Sequence, residues 1–222
     1  MVERREQGEP LQYVLERWPF RELELFIDRR VLIPRPETEV VVGAALEEHT
    51  RVGGPVVDLG TGSGAIALSF AVERPGTEVW GVERSSGALR VARANCTGLG
   101  RLAGTVRLVE GSWWEPLPET LLGQVGVVVA NPPYVRDDEP LPAAVEAWEP
   151  VDALRAPDDG LADIRAIVAD APRWLAPGGA LVVEHAPDQA DTVHGLATDA
   201  GFSTVRTGTD LAGRDRYLVA RR

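Results

Sequence analysis

From Pro55 onward, short β-branched runs alternate with helical stretches, and few folds accept that alternation. Residues 56–59 read as a first strand, 65 to about 73 as a helix, and 78–83 as a second strand. Ser85 or Ser86 opens a helix through Asn95, and strands follow at 105–109 and 124–130. After a long connection, a helix over 162–174 stops at Pro177-Gly178-Gly179, and 180–184 form the fifth strand. A helix over about 189–200 precedes two runs, 203–205 and 216–220, that suit a terminal antiparallel pair. Successive strand–helix units dictate a doubly wound, mostly parallel α/β sheet. The chain shows no internal repeat and no low-complexity tract.

The preceding segment is different in kind. Residues 1–10 are polar and read as a linker. Residues 11–33 carry β-formers, Tyr13-Val14-Leu15, Phe20 and Leu23 to Ile27, and suit short strands or a hairpin. Pro34 and Pro36 then forbid regular structure, and Thr38 or the glutamates beside it start a helix over 40–48. The expected division is residues 1–45 as linker, hairpin and loop extension, and 46–222 as a catalytic domain.

The fourth strand ends in Val127-Val128-Val129-Ala130-Asn131-Pro132-Pro133-Tyr134. An unbroken apolar run of this kind is buried on both faces. Two prolines then remove backbone donors, so the strand end offers acceptors without competing N–H groups. The Asn131 side-chain oxygen and the Pro132 carbonyl can each accept one hydrogen of a single planar NH₂ group, with Tyr134 as a wall. Fixing both hydrogens aims a poorly nucleophilic amide or aryl nitrogen, which is catalysis by orientation and electrostatics. The plain alternative is a strand-to-loop junction closed by prolines, and Asn-Pro-Pro-Tyr alone does not separate the two.

Its surroundings do more. Ligands bind beyond the carboxyl ends of such strands, where Asp58 and its loop, Glu83, Ser112-Trp113 and residues 131–134 collect. Gly60-x-Gly62-x-x-Ala65 with Glu83 formally matches a dinucleotide fingerprint. Against a dinucleotide, Asp58 would crowd a pyrophosphate but suits a cationic amino-acid group, and Asp-x-Gly-x-Gly-x-Gly is the pattern associated with S-adenosylmethionine. The weight falls on S-adenosylmethionine, with Glu83 accepting from ribose hydroxyls and Trp113 over the adenine.

Composition bounds the rest. With 23 basic residues, all arginine, against 34 acidic ones, the net charge is −11, which disfavours nucleic acid held through its phosphates. One cysteine, Cys96, and scattered His49, His185 and His194 exclude an internal disulfide and any metal-ligand spacing. No apolar run is long enough to span a bilayer and the start is charged, so a cytoplasmic protein without membrane partners is expected.

The chain resembles the release factor glutamine methyltransferases, the HemK-like family. The resemblance is carried by residues 8–13 (GEPLQY), 32–39 (LIPRPETE), 58–64 (DLGTGSG) and 131–134 (NPPY), by Glu149-Pro150 with Ala153-Leu154, and by 159–161. Glu184-His185 with Gln189, and residues 210–216, continue it in family order. It implies a Rossmann-like class I S-adenosylmethionine-dependent methyltransferase, with a seven-stranded sheet ending in an antiparallel strand. The implied reaction moves the sulfonium methyl to a glutamine side-chain nitrogen in the Gly-Gly-Gln tip of peptide chain release factors. Asp58, Leu59, Gly60, Thr61, Gly62, Glu83, Trp113 and Asn131 would contact the cofactor. Asn131, Pro132, Pro133 and Tyr134 would hold the glutamine, with Asn131, Pro132 and Tyr134 as the catalytic set. Arg35 and Glu37 are expected to line the acceptor site rather than merely brace their loop. Glu184-His185 reads as structural, because the chemistry needs no base.

Four departures from the family pattern stand out. The chain begins where a helical N-terminal domain would be ending, so either the start is truncated or substrate is recognised differently. Ser112 stands where relatives carry Asp, Glu83 where Asp is commoner, and Ala186 where Gly is usual.

Overall fold

The computed structural model describes residues 1–222. Seven strands form one sheet: β3 (Val56–Leu59), β4 (Val79–Glu83), β5 (Val106–Glu110), β6 (Val125–Ala130), β7 (Leu175–Glu184), β8 (Thr204–Thr209) and β9 (Asp215–Arg221). Their order is β5-β4-β3-β6-β7-β9-β8, parallel except for β9, which is antiparallel to both neighbours. A separate hairpin, β1 (Arg17–Phe20) with β2 (Leu23–Phe26), precedes it.

Strand burial follows the period-2 rule on both faces. Val56, Val127 and Val129 point into a core layer shared with α3 (Pro36–Val52), α4 (Ala65–Glu73) and α5 (Ser86–Gly98). Val57, Leu59, Val128 and Ala130 point into the opposite layer, under α6 (Ala162–Trp174) and α7 (Ala190–Asp199). Two buried faces explain why these strands are continuously apolar rather than alternating. The chain crosses from one half of the sheet to the other between β3 and β6, and the crevice at that reversal is where such sheets take ligands.

The start of the chain departs from expectation. Residues 1–10 contain a short helix, α1 (Val2–Glu6), and Tyr13-Val14-Leu15 lies in α2 (Leu11–Leu15), not in a strand. The helical turn buries Tyr13 and Val14 while Leu11 and Leu15 stay outside. The Tyr13 hydroxyl donates to the Val31 carbonyl at 2.6 Å. That anchored burial outweighs the β preference of Tyr and Val. Arg4 pins the same region through Glu9, at 2.7 Å, and the Tyr13 carbonyl.

Two boundaries also shift. α3 starts at Pro36, whose fixed φ suits the first helical position, so Thr38 sits inside the first turn and is not its cap. The same helix runs through residues 45 and 46, and one cluster joins hairpin side chains to sheet and helix residues from both sides of that point. β7 begins at Leu175, five residues early. Its Pro177-Gly178-Gly179 step is absorbed by a register shift against Val125 and Val127. Arg222, just past β9, seals that step, its N–H donating to the Gly179 carbonyl at 2.9 Å.

Candidate active site

A cavity of about 560 Å³ opens at the carboxyl ends of β3, β4 and β6, within the range of small-molecule sites. Its walls include Gly60, Thr61, Gly62, Glu83, Trp113, Asn131 and Pro133. Asp58 and Leu59 lie fully buried beneath the glycine loop and do not reach the wall. Pro132 is buried behind the wall, and Tyr134 is half-buried outside it.

The loop takes its shape from glycine. Gly60 and Gly64 adopt φ of 78° and 87°, a region costly to other residues. A Cβ on Gly60 would stand 3.4 Å from the Trp113 ring, so the bare backbone leaves a slot under that indole. Asp58 braces the loop from below: the Thr61 hydroxyl donates to its Oδ2 at 2.5 Å and the Ala67 N–H at 3.0 Å. Its Oδ1 is buried with no donor. Such an acceptor is costly unless a ligand ammonium or a water donates to it.

Glu83, at the end of β4, uses each carboxylate oxygen once. Gly62 N–H donates to Oε2 at 2.9 Å and Ser85 N–H to Oε1 at 2.8 Å. Each oxygen keeps a lone pair for a cavity ligand. The donorless acid beneath the loop, the open glycine slot and a wall carboxylate together fit S-adenosylmethionine.

At the end of β6 the backbone behaves as the prolines require. No hydrogen bond reaches the Pro132 carbonyl, and no protein donor reaches Asn131 Oδ1. The Asn131 NH₂ instead donates to the Thr38 hydroxyl at 3.1 Å. Thr38 donates to Glu184 Oε2 at 2.8 Å, and the Tyr134 hydroxyl donates to Glu184 Oε1 at 3.1 Å. Burial holds the Tyr134 phenol well above its ordinary value, so it stays a donor. The Tyr134 carbonyl accepts from Gln189 Nε2 at 2.9 Å.

Arg35 and Glu37 stand off the cavity wall. Arg35 pairs with Glu149 Oε1 at 2.5 Å, whose Oε2 accepts from the Ile33 N–H at 3.0 Å. A buried carboxylate such as Glu149 demands donors, and the loop over 32–36 supplies them. Glu37 lies 3.5 Å from Arg214. Residues 136–156 leave the site and return, since Val135 bridges to Arg155. They bring Pro150, Asp152 and Ala153 to the cavity wall, held by Arg84 donating to the Asp152 carbonyl at 2.8 Å. Thr38, Glu184, Glu149 and Arg84 are contributors that sequence reasoning missed or set aside. Thr38 stands in the LIPRPETE stretch, Glu184 and Arg84 at strand ends, and Glu149 in the Glu149-Pro150 match, and those places were their only signal.

Two of these acids carry a pH signature. Burial pushes Asp58 up to about 7, against the Thr61 and Ala67 bonds. Burial likewise pushes Glu184 up to about 7, against the Thr38 and Tyr134 bonds. Folded-state values above the unfolded ones stabilise fully at low pH, and that stability is lost as pH rises through about 7. The cofactor-free protein is therefore expected to melt at lower temperature at pH 8 than at about pH 5.5, with Asp58→Asn flattening the curve. Differential scanning calorimetry across that range checks this; a curve that rises toward pH 8 contradicts it.

Comparison with known proteins places this geometry in a family. Residues 38–148 match the methyltransferase small domain family. A release factor glutamine methyltransferase from Burkholderia pseudomallei is 47% identical over 96% of this chain and 76% of its own length. One from Vibrio cholerae is 39% identical over 99% and 76%. Among solved structures, a methyltransferase from Pyrococcus furiosus covers 99% of this chain and 96% of its own with a TM-score of 0.66; at 16% identity it speaks to the fold alone. The chain belongs to the release factor glutamine methyltransferase family, and S-adenosylmethionine is its cofactor.

Proposed function

We propose that this site methylates the side-chain amide nitrogen of a glutamine in the Gly-Gly-Gln stretch of a peptide chain release factor, in the cytoplasm. The observation that supports this most directly is the pair of unused acceptors, Asn131 Oδ1 and the Pro132 carbonyl, beside the cofactor-sized cavity. Each takes one hydrogen of the carboxamide NH₂, so the nitrogen lone pair is turned toward the cavity. S-adenosylmethionine supplies a methyl carried on a sulfonium, which departs as a neutral thioether. As the nitrogen–carbon bond forms, the carbon–sulfur bond breaks and its pair stays with sulfur. The methylated amide nitrogen is then strongly acidic, and its proton leaves to water without a general base. Pro133 closes the wall beside Asn131, and the Tyr134 ring, tied by its hydroxyl, stiffens the turn.

Amino-methylation of adenine uses the same pair of acceptors, but a net charge of −11 opposes binding of a polyanion. Incubating the protein with methyl-labelled S-adenosylmethionine and either purified release factor or nucleic acid separates the readings. Label on the Gly-Gly-Gln glutamine supports the proposal. Label on nucleic acid alone, or cofactor binding with no acceptor labelled, overturns it.

A further inference from the structure

A carboxamide has an acceptor and a donor end of nearly equal size, exchanged by a half-turn of one torsion. Only the acceptor end of Asn131 serves an incoming N–H; the NH₂ end would set donor against donor. We propose that Glu184, acting through Thr38, is the positioning residue that decides which end of Asn131 faces the methyl acceptor, an inference that rests on the functional reading above.

The three side chains come from distant segments. Thr38 stands in the first turn of α3, Asn131 just past β6 and Glu184 at the end of β7. Glu184 and Thr38 are 1% and 4% exposed, so water does not compete for their bonds. Burial pushes Glu184 up to about 7, and above that pH it is an ionised carboxylate that only accepts. The single Thr38 hydrogen therefore goes to Glu184, at 2.8 Å, and the Thr38 oxygen is left as an acceptor. That oxygen takes the Asn131 NH₂ at 3.1 Å, which turns Oδ1 outward. The second Glu184 oxygen takes the Tyr134 hydroxyl at 3.1 Å, so one acid anchors both ends of Asn-Pro-Pro-Tyr. Every bond in the chain points toward Glu184. Removing the hydroxyl of Thr38, or giving residue 184 a donor of its own, erases that direction.

The test measures release factor methylation and S-adenosylmethionine binding for Thr38→Val, Thr38→Ser, Glu184→Gln and the Thr38→Val/Glu184→Gln double variant. Valine keeps the shape of threonine without its hydroxyl, and serine restores the hydroxyl. The expected result is a kcat about 10- to 100-fold lower in Thr38→Val, with KM for release factor and cofactor Kd within about 3-fold. Thr38→Ser is expected within about 3-fold of the parent kcat, a rescue that mere packing of the helix start would not produce. The fold-losses of the two single variants should not multiply in the double variant, as coupled residues require. An unchanged kcat in Thr38→Val, a loss confined to KM, or losses that multiply overturn the inference. The unmutated protein run alongside keeps the two failures apart: no labelled glutamine there overturns the functional reading itself, whereas labelled glutamine with an indifferent Thr38→Val overturns only this inference.

Discussion

Asn131→Ala is expected to lower kcat for glutamine methylation by about 10²- to 10³-fold, the usual consequence of deleting one preorganised electrostatic partner of a transition state. Cofactor affinity should change little, because Glu83, Asp58 and the glycine loop do not depend on Asn131 for their bonds. Stability should fall only modestly, on the order of 1 kcal/mol, since one hydrogen bond to Thr38 is lost. The Pro132 carbonyl remains, so the acceptor still binds but swings about a single contact. Steady-state kinetics with release factor, combined with calorimetric titration of S-adenosylmethionine, read these quantities separately. A variant that turns over within about 3-fold of the parent removes the two-acceptor clamp from consideration.

Gly160→Ala is expected to damage both the fold and the turnover. Gly160 has φ of 78°, and a Cβ there would lie 2.4 Å from the Tyr134 carbonyl oxygen and 2.9 Å from Gln189 Nε2. The backbone conformation alone costs about 1–2 kcal/mol for alanine. The overlap adds about 1–3 kcal/mol, because a carbonyl fixed by Gln189 at 2.9 Å cannot retreat freely. The sum corresponds to a melting temperature lower by roughly 5–15 °C for a chain of this size. Whatever relief occurs must move Tyr134, and with it the turn that holds Asn131 and Pro132. Thermal unfolding together with kcat checks the prediction; a melting temperature within about 1 °C of the parent refutes it.

How far the sequence carried the reading depended on the range of the forces involved. The parallel strands were legible because Val56-Val57 and Val127-Val128-Val129 are apolar on consecutive positions, and only a strand covered on both faces explains that. The glycine loop and the proline-ended strand were legible because they are local backbone chemistry. The helical turn at Tyr13 was not, since its stability comes from a tyrosine buried against Val31, eighteen residues on. Thr38 and Glu184 were hidden for the same reason in stronger form: their contacts join residues 146 and 93 positions apart. A threonine near a helix start reads as a helix opener, and Glu184 beside His185 reads as structural with no partner named, until the sheet brings them together. Arg35 and Glu37 were singled out from their stretch, but their partners, Glu149 and Arg214, lie more than a hundred positions away and were not legible.

One residue of α5 ties two distant parts of the molecule. The Asn95 carboxamide accepts from the Phe26 N–H at 2.7 Å and donates to the Phe26 carbonyl at 2.9 Å, closing a two-point clasp on the hairpin. The same NH₂ donates to the Ser63 carbonyl at 2.8 Å, inside the glycine loop. The hairpin and the glycine loop therefore hang on one amide, and Asn95→Ala deletes the clasp and the loop bond in a single substitution.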